Sequence, residues 1–150
     1  MKRIVGIFMI LSLSLVAAAF AADNGTPAEA EAMVKKAVAY IKTNGKDKAI
    51  AEFNNPKGQF IDRDLYIVAY DMNGKCLAQG RSPKMVGQDM IDLTDADGKF
   101  HIRERIKIAK EKGKGWQDYR TQHPLTKKIE SKTTYIEKVG DIIVGCGAYK

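Results

Sequence analysis

Hydrophobic and polar positions change period several times along the chain. Behind Lys2 and Arg3 lies an almost unbroken apolar run, Ile4 to Val16, closing on Ala19-Phe20-Ala21. A positive start, an apolar middle and an A-x-A ending form the layout of a secretory signal peptide. Residues 1–21 are therefore expected to be removed, leaving 22–150 as one exported domain. The competing reading is an uncleaved anchor, since Ile4 to Ala22 is nearly long enough to cross a bilayer. The Ala-rich end and the lack of a following positive cluster favour cleavage.

The period then becomes helical. Thr26-Pro27-Ala28-Glu29 combines a capping box with Pro at the first helical position, and Val34, Val38 and Ile41 recur on one stripe. This helix is expected to end near Asn44-Gly45, with a shorter one from about Asp47 to Phe53 before Asn54-Asn55-Pro56. At Leu65 to Tyr70 the period drops to two: Leu65, Ile67 and Ala69 share one face, and Tyr66, Val68 and Tyr70 the other. With both faces apolar, a central strand is expected. Asn73-Gly74 predicts a hairpin turn into Cys76 to Gln79. Residues 80 to 115 read as a loop followed by a helix, capped by Asp95 or Asp97, buried along Ile102, Ile106 and Ala109, and ended by Gly113. Trp116 to Arg120, Lys132 to Val139 and Ile142 to Ala148 read as three further strands, the last two joined at Gly140-Asp141.

Composition narrows the class. Of 150 residues, 45% are apolar and 29% charged, which suits a packed globular domain and excludes extended disorder. The formal charge is +7, or +5 without Lys2 and Arg3, and its lysines are spread along the chain in the manner of a solvated face. A nucleic-acid function is not expected, because no basic stripe interleaved with aromatics is present and the signal peptide points away from the cytoplasm. Cys76 and Cys146 are compatible with a disulfide in an exported chain or with buried free thiols on separate strands.

Candidate chemistry is sparse. The two histidines, His101 and His123, belong to no metal or nucleophile motif, and His101 reads as a solvated residue on a charged helix. No catalytic residue, metal or cofactor is expected. Asp95, Asp97 and Glu104 fall at three acidic positions of a calcium loop, but Leu93 stands where the first ligand is needed, so capping explains the same acids better. The most suggestive stretch runs from Trp116 to Tyr135. It brings Trp116, Tyr119, Arg120, His123, Lys132 and Tyr135 onto two consecutive strands and their loop, placing aromatic walls and polar tips together, as a small-molecule pocket requires.

The order and wording of these elements resemble a single Cache domain, the extracellular sensor module of bacterial chemoreceptors and histidine kinases. The resemblance runs through Asp64 to Asp71 with Asn73-Gly74, Gly87-Gln88-Asp89, Asp95 to Phe100, Gly115 to Tyr119, Pro124, Lys132 to Tyr135 and Val144 to Tyr149. It implies a PAS-like α+β fold: a long N-terminal helix on a five-stranded antiparallel sheet, with a loop-helix insertion after the second strand and a pocket beneath it. It also implies a small organic acid of the acetate, propionate, pyruvate or lactate class as ligand. By position, Tyr119, Lys132 and Tyr135 match pocket residues, with Phe100 and Trp116 as walls. The chain departs at Gln79-Gly80, where relatives often carry His-Pro, and at Thr121-Gln122, where they often carry Trp-Pro.

The expected function is that of a periplasmic, stand-alone Cache domain that binds a small carboxylate without transforming it. Lys132 is expected to pair with the acid, while Tyr119 and Tyr135 donate hydrogen bonds. Phe100, Trp116, His123 and Met85 or Met90 would complete the site. A membrane-bound sensor or receptor would read the bound state. The alternative is an interaction subunit with a vestigial pocket, docking its long helix on such a sensor or forming a homodimer through it.

Overall fold

The computed structural model describes residues 24–124 and 126–150, so the signal peptide expected over residues 1–21 lies outside the described residues. Helix α1 (Pro27–Asn44) starts at the expected capping box: the Glu29 amide donates to Thr26 Oγ1 at 3.2 Å, and the Thr26 amide donates to Glu29 Oε2 at 2.7 Å. Its buried stripe is Ala30, Val34, Ala37, Val38 and Ile41. Helix α2 (Lys46–Phe53) follows directly, turned at Gly45 with φ +84°. Two-residue strands β1 (Ile61–Asp62) and β2 (Leu65–Tyr66) pair with each other.

Strands β3 (Val68–Asp71) and β4 (Cys76–Gln79) form the first hairpin, and β5 (Lys114–Gln122), β6 (Ile129–Val139) and β7 (Ile142–Tyr149) form a meander. Together they make the main sheet, antiparallel throughout, with order β4-β3-β7-β6-β5. The strand expected over 65–70 is divided. The Ile67 amide turns aside to the Phe60 carbonyl at 3.3 Å, so Leu65-Tyr66 pairs with β1 and only Val68 onward joins the sheet. A register shift between Ala69 and Tyr70 then lets Cys76 and Ala78 pack on opposite faces.

The sheet separates two cores. On one face, α1 covers Ile142, Val144, Cys146 and Ala148 of β7 together with Tyr135 of β6. On the other, helix α3 (His101–Lys112) covers Ile136 and Ile143, with Val68, Tyr70 and Cys76 beside them. The cysteines thus lie in separate cores, and both are free thiols. Burial pushes Cys76 up to about 11 and Cys146 up to about 12, so both remain protonated at neutral pH.

Aspartate capping of α3 is corrected by the structure. The residue before the helix is Phe100, with no side-chain cap. Asp95 instead closes the preceding loop: its Oδ1 accepts from the amides of Asp97 and Lys99, both at 2.9 Å, and its Oδ2 accepts from the Arg120 amide at 3.2 Å. These bonds tie the loop to edge strand β5, and they occupy the carboxylate that a calcium loop would need. Among the described residues no cluster of His, Cys, Asp and Glu could hold a metal.

Candidate functional site

Strand alternation decides which side chains can meet. Along β5 and β6, Gln117 pairs with Thr134 and Tyr119 with Lys132, and these side chains point to the α3 face. Trp116 pairs with Tyr135 on the opposite face, with ring centroids 5.2 Å apart. Beneath α3 and the loop after β4, the sheet leaves a cleft of about 940 Å³, lined by Tyr66, Val68, Tyr70, Met85, Met90, His101, Arg105, Tyr119, Lys132 and Tyr149 among others.

Lys132 sits at its floor with only 3% of its surface exposed. Its stem lies across Gly147, where a Cβ would come within 2.5 Å of Lys132 Cε and 2.4 Å of Thr134 Oγ1. A larger residue at 147 would displace the lysine. The ammonium donates to Tyr66 Oη at 3.3 Å and stands 4.7 Å and 4.6 Å from the ring centroids of Tyr66 and Tyr149. No carboxylate forms an ion pair with it among the described residues. Burial works to neutralise this amine, while Tyr119, Tyr66 and Tyr149 act the other way and on balance raise its pKa. Burial likewise pushes the Tyr119 phenol up, yet Lys132 and Arg105 pull it net downward.

His101 corrects the solvated reading. It is buried, stacked on Tyr119 with centroids 5.0 Å apart and planes within 3°, and its Nδ1 has no partner among the described residues. Burial, reinforced by the charge on Arg105, lowers its pKa to about 4, leaving the ring neutral at neutral pH. Gln117 fixes this wall. Its amide nitrogen donates to the His101 carbonyl at 2.6 Å, and its oxygen accepts from Arg105 Nε at 3.1 Å.

Of the residues singled out in the sequence, the structure brings Tyr119 and Lys132 together, with Met85 and Met90 on the same cleft. His123 is buried behind the site, its ring 4.2 Å from that of Tyr149, and its Nδ1 accepts from the Thr126 amide. The other three expected positions lie elsewhere. Phe100 is 42% exposed beneath the Arg103 guanidinium, Trp116 is 41% exposed, and Tyr135 belongs to the α1 core. Sequence reading missed Tyr66, His101, Arg105, Gln117 and Tyr149. Tyr66 carried a signal, since it shared a face with Val68 and Tyr70; Gln117 and Arg105 carried none, because polar residues are expected to face water.

A long helix on a five-stranded antiparallel sheet, with a polar cleft under a loop-helix insertion, is the α+β architecture of PAS-like sensor domains. The chain belongs to the single Cache domain 2 family, whose sequence model matches residues 9–150. It is 34% identical over 89 residues to the sensor histidine kinase MctS of Rhizobium johnstonii, covering 58% of this chain and 19% of that protein. It is 30% identical over 90 residues to the methyl-accepting chemotaxis protein McpP of Pseudomonas putida, covering 59% of this chain and 16% of that protein. The match thus spans less than a fifth of these curated relatives. Among solved structures, a methyl-accepting chemotaxis protein from Vibrio parahaemolyticus aligns with a TM-score of 0.67 at 28% identity, over 81% of this chain and 86% of that one. A Cache chemosensory domain described for its carboxylic acid recognition aligns with a TM-score of 0.63 at 23% identity, again over 81% of this chain and 86% of that one.

Proposed function

We propose that this chain is an exported Cache sensor domain that reversibly binds a small carboxylate in the cleft beneath α3. The observation that carries this reading is the Lys132 ammonium, buried among phenol rings with no carboxylate paired to it. Burying an unpaired charge is unfavourable by several kcal/mol unless hydrogen bonds and a counter-charge compensate. A ligand carboxylate supplies both: it accepts a charge-assisted hydrogen bond from Lys132 and neutral ones from Tyr119 and Tyr66. Met85, Met90 and Val68 line the same cleft and enclose the apolar part of a short acid. The carboxylic acid recognition described for one structural neighbour supports the same ligand class. The relation to a receptor and a kinase supports a membrane-bound signalling protein as the reader of the bound state.

Thermal unfolding against a panel of acetate, propionate, pyruvate and lactate tests the reading. A ligand at a hundred times its Kd stabilises the folded state by about 2.7 kcal/mol through mass action. At least one acid is expected to raise Tm by several degrees in a saturable, concentration-dependent way. A Tm unmoved by every acid tried, at concentrations where chloride also leaves it unchanged, would contradict the reading.

A further inference from the structure

A carboxylate on Lys132 accounts for one of the two buried cations that line the cleft. Arg105 reaches it from α3 with 2% of its surface exposed. Its guanidinium carbon stands 5.4 Å from the Tyr70 ring and 5.5 Å from the Tyr119 ring. Nε donates to Gln117, but the buried Nη2 has no hydrogen-bond partner, and no carboxylate pairs with Arg105 among the described residues. The neighbouring acids are engaged elsewhere. Glu104 accepts from Gln117 at 3.0 Å and lies 3.6 Å from Lys99, Asp95 holds three backbone amides, and Asp97 pairs with Arg120. His101 is neutral and supplies no compensation.

Lys132 and Arg105 therefore flank one ring, that of Tyr119: the lysine as its cross-strand partner, the arginine in contact with the ring. A monocarboxylate neutralises one of two buried cations and leaves the other without a counter-ion. We infer that the site takes a short dicarboxylate, with one carboxylate on Lys132 and the second on the guanidinium fork of Arg105, across the face of Tyr119. A planar fork with free N–H groups matches a carboxylate in shape as well as charge. This inference rests on the carboxylate reading of the cleft and adds the ligand's second charged group.

Calorimetric titration of the purified protein with malonate and succinate, against acetate and propionate, tests it. In the unsubstituted protein the better dicarboxylate is expected to bind about tenfold tighter than either monocarboxylate, or more. Arg105→Met should erase that preference, weakening dicarboxylates about tenfold more than monocarboxylates, and Arg105→Lys should restore part of it. Lys132→Met should weaken both classes. Circular dichroism and Tm of each variant confirm that the fold is retained; where Arg105→Met fails to fold, the preference within the unsubstituted protein and Arg105→Lys decides. Equal weakening of both classes by Arg105→Met would mean that one carboxylate bridges both cations, and would overturn the inference. So would equal affinity for both classes in the unsubstituted protein, or saturable binding of inorganic phosphate without binding of dicarboxylates. In these cases a monocarboxylate that binds through Lys132 leaves the broader reading standing, whereas failure of every acid to bind overturns both.

Discussion

An imidazole stacked on a tyrosine and flanked by a guanidinium is stable only while it stays neutral. His101 has its pKa lowered from 6.5 to about 4 by burial and by Arg105, so the folded state resists the proton that the unfolded chain accepts readily. Above pH 6.5 both states are neutral and this contribution is fully present. As pH falls from 6.5 towards 4 the unfolded chain takes up protons first, and roughly 3 kcal/mol of stability is lost across that window. His101→Phe keeps the stack on Tyr119 and removes the titration. Denaturant unfolding at a series of pH values is expected to show a stability curve flatter for His101→Phe than for the unsubstituted protein between pH 6.5 and 4. Parallel curves would show that His101 titrates alike in both states. The signal for its burial was weak in the sequence: His101 precedes Ile102 and lies four residues before Arg105, so it falls on the inward stripe only if that arginine faces inward too.

At the scale of elements, one buried amide pins the first turn of α3 to β5 beside the stack of His101 on Tyr119. Gln117 satisfies the His101 carbonyl and Arg105 Nε together, so both ends of the first helical turn are held to the strand. Gln117→Leu preserves volume but leaves the buried Arg105 Nε without its acceptor, a destabilisation of about 1–3 kcal/mol. Chemical unfolding should show that loss as a lower midpoint. Ligand affinity should fall with it, because the wall carrying His101 and Arg105 is no longer fixed. An unchanged midpoint would assign the attachment to apolar packing alone. Regular elements were legible because period and caps agree: the capping box at Thr26, the stripe from Val34 to Ile41, and glycines at 45, 74, 113 and 140. The break at Ile67 and the closure of the Asp95 loop were not. Both depend on which amide finds which carbonyl across the fold, and an aspartate near a helix start serves a cap or a loop equally well on local grounds.

At the scale of the whole molecule, the sheet is a partition between a core under α1 and the cleft under α3, the proposed ligand site. Composition placed aromatic and basic residues of β5 and β6 together, and alternation divides them: Tyr119 and Lys132 enter the cleft, Trp116 and Tyr135 do not. The sequence revealed the pairing of these strands but not which face the insertion covers, since both faces carry large side chains. The same partition keeps Cys76 from Cys146. Export is the remaining expectation at this scale. Expressed with its native leader, the protein should be recovered from the periplasmic fraction with Ala22 as its first residue by N-terminal sequencing. Full-length protein found only in membranes would establish an anchor instead.

Affinity for a carboxylate, measured calorimetrically on matched charge deletions, tests the central claim most directly. Lys132→Met keeps the aliphatic stem over Gly147 and removes the buried charge; Lys112→Met removes an exposed charge from the last turn of α3. Loss of one charge-assisted hydrogen bond, about 1.5–3 kcal/mol, should weaken binding roughly tenfold to a hundredfold in Lys132→Met. Its unliganded Tm should not fall, since an unpaired ammonium is removed from the interior. Lys112→Met should bind as the unsubstituted protein does. Equal weakening by both substitutions would contradict the account, for then diffuse positive charge attracts the anion and the cleft holds no specific site.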